Sequence, residues 1–381
     1  MSGRNSGAPS VAPDAPTFKL EVDGQELSEI MHGDVQTLKV VMDLQQMGSF
    51  EIEINNPWDA AESMYRYIDD DTFDLGKEVK VKMGYVDKQW SMIKGAITSV
   101  APVFRADRRK FITVAGLDAL FCARDRDPLE GEAKQFQEMS DAEIVQQIAQ
   151  RAGMKIKTDD KGPKHDFVVQ KYQDDAAFMK ERAKRLDLDL FVRTDPDSGE
   201  DELQFTEPTD GRKGSICVWV FEWGEDLQFF RPRVSMAQQI SKVTVRGWDP
   251  KIKELITYTA DKNDLPSGIG SGTSGPKVVE KCLSASGGKE EFVVDAPVTS
   301  AEEARELAIS VLRERAYRYL TCTGVCLGKP EMRPGDNAEI RGIGKRFGGQ
   351  YYLERVEHII GTEGYRTEFQ GRRVFEDGGE G

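Results

Sequence analysis

The sequence predicts an α+β chain dominated by β-structure, with a small α+β unit between two β regions. Three observations predict it. Apolar and polar residues alternate with period two from Phe18 to Gly116, and again from Thr321 to Phe369. Between these stretches, and once more after Thr299, apolar residues recur at helical spacing. Turns carrying Gly, Pro and Asn punctuate both β regions.

In the first β region, Phe18, Leu20 and Val22 alternate up to Asp23-Gly24, a hairpin signal. Val35 to Leu44 and Ser49 to Ile54 follow as strands, and Asn55-Asn56-Pro57 ends the second. Asp59 to Asp71 is acidic and is expected to hold a short helix. Gly76 to Tyr85, Gly95 to Val100 and Phe111 to Gly116 alternate again. Residues 18–122 read as a β-barrel or a β-sandwich.

The middle is different. Ser140-Asp-Ala-Glu143 is a capping box, in which the two side chains satisfy free N–H groups of the first turn. Ile144, Val145, Ile148 and Ala149 then share one helix face, and Gly153 stands where a helix ends. A second helix opens at Asp174-Asp175 and buries Phe178, Met179, Ala183 and Leu186. Leu188 to Val192 and Leu203 to Phe205 are expected to pair as strands. Ile216 to Phe221 reads as strand, and Trp223 to Pro232 as irregular.

β-structure returns at Ile240 to Pro250. Residues 265–277 are rich in Gly and Ser and read as a flexible loop. Ser300 caps a third helix with Ala304, Leu307, Ala308, Val311, Leu312 and Ala316 as its buried stripe. Thr321 to Leu327 is a strand. Lys329 to Arg373 then folds as short strands around Pro334-Gly335-Asp336, Gly342 to Gly349 and Gly361 to Gly364.

The chain has 381 residues, with Asp+Glu 66, Lys+Arg 52 and net charge −14. That surplus of acid argues against a nucleic-acid surface, because phosphates are repelled. No apolar run reaches the roughly 18 to 20 residues of a membrane span, and the first residues lack the apolar segment of a secretory signal. Cys122, Cys217, Cys282, Cys322 and Cys326 are odd in number and scattered, as in a reduced cytoplasmic protein.

No residue qualifies as catalytic, cofactor-binding or metal-ligating. His358 lies in a strand beside Val356 and Ile360, with no nucleophile or carboxylate pattern, and is expected to be structural. His32 and His165 are isolated. Cys322 and Cys326 on one strand stand roughly 13 Å apart at ~3.3 Å per residue, too far for a zinc knuckle. Gly342-x-Gly344 follows a strand but opens no helix, so it is no phosphate loop. Asp69-Asp70-Asp71 and Asp187 with Asp189 read as solvated charge, not as glycosidase pairs. Trp58, Trp90, Trp219, Trp223 and Trp248 are dispersed, as in core or interface packing and not in a glycan platform.

The two β regions resemble each other. Gly76, Val79, Val81, Gly95, Ile97, Val100, Thr113 and Gly116 run in the order of Gly335, Ala338, Ile340, Gly349, Tyr351, Val356, Thr367 and Gly371. One fold used twice lets three copies present six similar units, a way to match a three-fold partner to a six-fold one.

Gly247-Trp248-Asp249-Pro250, the capped helix Ser140 to Gly153, the block Val169 to Met179 and the closing Phe347 to Phe369 together resemble the phage late control protein D family. That family is similar to the hub portion of the type VI secretion spike (VgrG) and to baseplate hubs of contractile tails. The resemblance runs from Phe18 to Arg372. It implies two tube-like β-barrel domains, 18–128 and 240–373 with a helix at 300–320, around an α+β insertion at 129–239. A disordered arm (1–17) and a mobile acidic tail (374–381) are expected outside them. It further implies a structural baseplate hub without enzymatic activity, a homotrimer whose pseudo-six-fold ring joins a hexameric tail tube to a trimeric spike. Because the chain stops at Gly381, the spike is expected to be a separate polypeptide. The implied setting is an assembled tail or injection particle, made in the bacterial cytoplasm, with other baseplate components as neighbours, no cofactor and no specific nucleic-acid binding. The alternative is a cell-wall polysaccharide-degrading enzyme or a glycan-binding module.

Overall fold

The computed structural model describes residues 15–105, 110–123, 134–171, 173–210, 218–266, 271–284 and 288–377. The fold is α+β and β-rich. Six strands make the first half: β1 (Pro16–Val22), β2 (Val35–Asp43), β3 (Ser49–Asn55), β4 (Glu78–Tyr85), β5 (Gln89–Phe104) and β6 (Lys110–Asp118). Six make the second: β7 (Val218–Glu222), β8 (Leu227–Val234), β9 (Leu320–Leu327), β10 (Asn337–Arg341), β11 (Gly349–Gly361) and β12 (Gly364–Arg373). The order is β2-β3-β6-β5-β4-β1 in the first half and β8-β9-β12-β11-β10-β7 in the second. Each strand thus has its counterpart six strands later in the chain.

The halves do not stand apart as two separate sheets. β2 pairs antiparallel with β11, so both belong to one 13-stranded sheet that also takes in Gln25–Glu26. Each half curls over its own core. Leu20, Val40, Phe50, Ile52, Val81 and Val114 fill the first. Phe221, Leu320, Cys322, Ile340, Leu353 and Phe369 fill the second. Alternation dictates this, since an inward residue is followed by an outward one on every strand.

The repeat extends to individual hydrogen bonds. Gly76 N–H donates to Ile97 O at 2.8 Å and Ile97 N–H to Lys77 O at 3.0 Å. Gly335 N–H donates to Leu353 O at 2.8 Å and Leu353 N–H to Asp336 O at 2.9 Å. Gly76 and Gly335 both have φ of 87°, a conformation that favours glycine. The bulges also coincide. β2 slips against β3 between Val35 and Thr37, and β8 against β9 between Leu227 and Phe229. β5 slips against β6 between Ile97 and Ser99, and β11 against β12 between Leu353 and Arg355. Gly116 and Gly371 stand opposite the residue that precedes the latter two bulges. The sequence alignment places Gly76, Val79, Val81, Val100 and Gly116 on their true counterparts. It misplaces Gly95 and Ile97 by two residues: their counterparts are Tyr351 and Leu353, and Gly349 stands where the first half has Ile93. Thr113 is one position off. The outer strands differ: β1 runs antiparallel to β4, whereas β7 runs parallel to β10.

A short helix, α1 (Glu29–Asp34), links β1 to β2. Between β6 and β7 lies the α+β unit. Its helix α2 (Asp141–Arg151) carries the expected capping box, and Asp174 caps α3 (Asp175–Arg185) through Ala177 N–H at 2.6 Å. Strand Asp189–Thr194 pairs antiparallel with Asp201–Thr206, as the alternation implies. A second insertion separates β8 from β9. There Lys242–Asp249, Glu254–Ala260 and Glu290–Val293 form a small sheet covered by α5 (Ala301–Tyr317), after a short helix α4 (Gly275–Cys282).

Four expectations are corrected. Asp59 to Asp71 is a hairpin, Trp58–Asp59 with Met64–Tyr65, and no helix. Asp59 Oδ1 accepts from Ala61 and Glu62 N–H, offering the backbone a turn instead. Residues 227–234 are a strand of the second half, not the end of the insertion; Pro232 is tolerated because β8 is the last strand of the sheet. The stretch 265–277 contains strand Ser271–Ser274 and the start of α4, where Pro276 fits the first turn; residues 267–270 lie outside the described residues. Phe375–Asp377 is no mobile tail but a strand paired with Ser271–Ser274. Calls on residues 1–14 and 378–381 lie outside the described residues, and β1 already begins at Pro16.

Candidate functional site

The residues that chemistry would single out converge on joints between units, not on a reactive cleft. The main joint starts from an irregularity in β5. Val81 pairs with Ile93 but Lys82 with Ser91, so Met92 is an extra residue. A bulge frees backbone groups from the ladder. Ser91 N–H donates to Pro196 O of the α+β unit at 2.8 Å. Ser91 O accepts Arg333 Nη2 of the second half at 2.8 Å. Three units meet on one residue.

Arg333 belongs to the loop between β9 and β10, which clasps the β4–β5 hairpin. Tyr85 Oη donates to Gly328 O at 2.9 Å, and Trp90 Nε1 to Glu331 at 3.0 Å. Arg333 is 1 % exposed. Its Nη1 donates to Pro330 O at 2.6 Å and to Met332 O at 3.0 Å. Burial brings its pKa down to about 10, so it remains a cation held by carbonyl oxygens.

His358 lies directly beneath this loop and is fully buried. Its Nε2 donates to Met332 O at 3.1 Å, and its Nδ1 accepts from Tyr365 Oη at 2.9 Å. Burial, then the nearby Arg333 cation, lowers its pKa to about 3. The ring is neutral and structural. On the outward face of the seam, Lys39 meets Glu357 at 2.6 Å and Arg355 meets Asp43 at 3.4 Å.

Two further joints hold the insertions. Arg372 stacks on the ring of Tyr317 at 3.3 Å and meets Glu354 at 3.2 Å, while Tyr352 Oη donates to Asp189 at 2.6 Å. Burial raises Asp189 to about 6. His165 of the α+β unit lies between Asp141 and Glu303, the latter on α5 (3.1 and 2.5 Å). Burial pulls His165 down, but the bonds to these carboxylates outweigh it and hold it at about 9. Arg182 Nη2 lies 2.8 Å from the Nε2 that faces Asp141, and its charge lowers the pKa of the ring, but by less than the two carboxylates raise it.

The remaining candidates make local contacts. His32 stacks on Phe18 and bonds its carbonyl at 3.0 Å. Cys322 and Cys326 are buried free thiols on the inner face of β9, and Cys282 is exposed. Asp69 accepts from Tyr65 N–H and Asp70 from Thr72, both local turns. Asp187 and Asp189 are not the solvated charge expected, because the fold buries both side chains: Asp187 is bound by Tyr317 and Arg313, and Asp189 by Tyr352. Trp219 donates to Asp336, whereas Trp58, Trp223 and Trp248 are exposed and far apart in the chain. A cleft of about 760 Å³ lies between β4–β5 and the α+β unit. Of the charges that line it, Lys80 pairs with Glu21 and Lys94 with Glu78, each at 2.9 Å. Among the described residues no group of His, Cys, Asp and Glu could hold a metal ion, and no helix is long and apolar enough to cross a membrane. Sequence reasoning did not single out Arg333, Ser91 or Arg372. Only the unusual density of KPEMRPGD, two prolines flanking an arginine, marks the first of them.

Solved structures share the fold. The 43 kDa tail protein of prophage MuSo2 from Shewanella oneidensis is 14% identical with a TM-score of 0.67, over 94% of this chain and 98% of that one. The tail protein from Neisseria meningitidis MC58 is 11% identical with a TM-score of 0.65, over 94% and 97%. The E. coli c3393 protein, a component of the type VI secretion system with structural similarity to T4 bacteriophage tail proteins gp27 and gp5, is 14% identical with a TM-score of 0.56, over 95% and 79%. The expected kinship with tail and type VI spike proteins therefore holds at the level of fold. None of the curated proteins matches the sequence. A family model does match, over residues 12–362: the chain belongs to the family of the Alg8 N-terminal domain.

Proposed function

We propose that this protein is a structural baseplate hub of a contractile tail or contractile injection system, of the late control protein D kind. In this proposal it acts as a homotrimer. Three copies form a ring of six similar halves, which seats a hexameric tail tube on one side and a trimeric spike on the other. The observation that carries the reading is the repeat: two halves with the same strand order, two coincident bulges and the same glycine hydrogen bonds. A ring built from them has three-fold symmetry by chain and near six-fold symmetry by half. The fold shared with tail proteins and a type VI component supports it.

The work is mechanical, and the joints described above serve it by fixing the halves as one body. The outward face across the seam is a candidate channel lining. It carries Lys39, Arg231, Arg233, Arg355 and Arg366 against Asp43, Glu51, Glu53, Glu357 and Glu368. Such a lining is charge-balanced, and the net charge of −14 is spent elsewhere. Native mass spectrometry of the chain, alone and mixed with its tube and spike proteins, tests the proposal. A trimer is expected; a monomer under every condition would sink it. Turnover of cell-wall polysaccharide by the pure chain would favour the enzymatic alternative instead.

A further inference from the structure

Within one chain the halves join through β2 and β11. Arg355 faces Asp43, Val356 faces Met42, Glu357 faces Val41, His358 faces Val40, Ile359 faces Lys39 and Ile360 faces Leu38. By the repeat, the counterpart of β2 in the second half is β8, and the counterpart of β11 in the first half is β5. Both have open edges at the corresponding place. β5 pairs with β4 only from Gln89 to Ala96, which leaves that edge bare from Thr98 to Phe104. β8 pairs only with β9. Among the described residues no strand covers either edge, and Ala101, Pro102, Arg231 and Arg233 are exposed. Open edges of this length are templates for another strand.

We propose that β8 of one copy adds antiparallel to the bare edge of β5 in a second copy, in the register of β2 on β11. The proposal rests on the ring reading and specifies how that ring closes. Transferring the register sets Ser99 opposite Ser235 of the next copy, Val100 opposite Val234, Ala101 opposite Arg233, Pro102 opposite Pro232, Val103 opposite Arg231 and Phe104 opposite Phe230. The contact is head-to-tail, so each copy offers one edge of each kind and a closed ring leaves none bare.

The prolines set its strength. Leu44 N–H donates to Glu354 O at 3.0 Å, and the alternation of an antiparallel ladder then makes Val40 and His358 a hydrogen-bonded pair. Ser235 N–H donates to Tyr319 O, so Pro232 is not hydrogen-bonded to Cys322 and its nitrogen points at the open edge. Asp118 N–H donates to Gly48 O, and the same alternation points the Pro102 nitrogen at the open edge of β5. The joint between copies therefore lacks both donors of its central pair. It is weaker than the joint within the chain, and each edge is a poor template for unrelated strands.

Disulfide trapping tests the register. In a Cys282→Ser background, Ala101→Cys with Arg233→Cys places two thiols on directly opposed residues of neighbouring copies. Val103→Cys with Arg233→Cys shifts them by two residues. On oxidation the first pair is expected to give at least roughly tenfold more inter-chain product than the second, because a disulfide tolerates little displacement. Val41→Cys with Glu357→Cys, the same position inside the chain, gives only an intra-chain bond. Pro102→Val with Pro232→Val restores the donors and is expected to raise the oligomeric fraction. A trimer by native mass with no preference for the 101–233 bond overturns the proposed joint and leaves the ring standing. A monomer throughout, in the valine variant as well, overturns both.

Discussion

Arg333 and Ser91 lie 242 positions apart in the chain and share a hydrogen bond of 2.8 Å between guanidinium and carbonyl. It joins the second half to the first at a point where neither strand ladder reaches. Arg333→Ala would leave the carbonyls of Ser91 and Pro330 without their donor in a buried site, while Met332 O keeps the bond from His358 Nε2. At about 1–3 kcal/mol for each buried polar group left unpaired, a loss of at least about 2 kcal/mol is expected. Arg333→Lys recovers only part of it, because one ammonium cannot span carbonyls served by two separate nitrogens. Urea unfolding of the three proteins measures the order.

His358 makes the same joint sensitive to acid. Its folded pKa of about 3 lies below the ordinary histidine value. The unfolded chain therefore takes up a proton at higher pH than the folded one. Stability from this residue is complete above the unfolded value of 6.5 and is lost as pH falls from there toward 3. The urea midpoint is expected to drop across that window. His358→Gln keeps a donor and an acceptor but no titrating group, so its midpoint is expected to fall less steeply. An equal slope in both proteins would show that His358 titrates as it does when unfolded.

The second histidine works in the opposite direction. His165 is held at about 9 by Asp141 and Glu303 against the pull of burial. Its contribution is full below 6.5 and is lost as pH rises through about 9. Glu303 lies on α5 and the other members of the cluster on the α+β unit. Alkaline pH should therefore loosen the contact between these two units before it loosens the sheet. Hydrogen exchange at pH 7 and at pH 10, corrected for intrinsic rates, checks this at the start of α5. Protection there is expected to fall more than in β9 or β12, and His165→Leu is expected to abolish the difference.

What was legible in the sequence is what is decided locally. Ser140 and Glu143 cap α2 as their spacing implies, because both partners lie within one turn. The inward and outward faces of β3, β4 and β12 follow from alternation alone. The repeat was legible where turns mark it, at Gly76 and Gly335, and was misaligned at Gly95, because the counterpart of Gly349 is not a glycine but Ile93. The seam was not legible. Arg355 and Asp43 are 312 positions apart, and neither strand carries a sign of its partner. Arg333 and Arg372 look like surface charge in sequence, since only the fold brings carbonyls and tyrosine rings around them. Asp59 misled because its side chain binds Ala61 and Glu62 N–H and so terminates the helix that its neighbours favour.

The equivalence of the two halves can be measured at a pair of glycines. Gly76 and Gly335 share a φ of 87° and the same donor role toward β5 and β11. A Cβ at Gly76 meets no atom within 4 Å, and one at Gly335 comes no nearer than 3.5 Å, to the Phe191 ring. Neither substitution to alanine is opposed by a clash, so each reports backbone strain alone, roughly 1–2 kcal/mol for a left-handed residue with a side chain. Gly76→Ala and Gly335→Ala are therefore expected to cost the same within about 0.5 kcal/mol, and to add in the double variant because the sites share no partner. Gly324→Ala makes the contrast. It is not strained in φ, but its Cβ would stand 2.2 Å from the Phe369 ring, which is 1 % exposed and has no room to move. Its cost comes from overpacking, about 1–3 kcal/mol, and truncating the ring in Phe369→Leu should recover part of it, whereas the same truncation leaves the cost at Gly335 unchanged. Thermal unfolding of these seven variants separates strain from clash, and unequal costs at Gly76 and Gly335 would mean that the two turns, though alike in geometry, are not alike in energy.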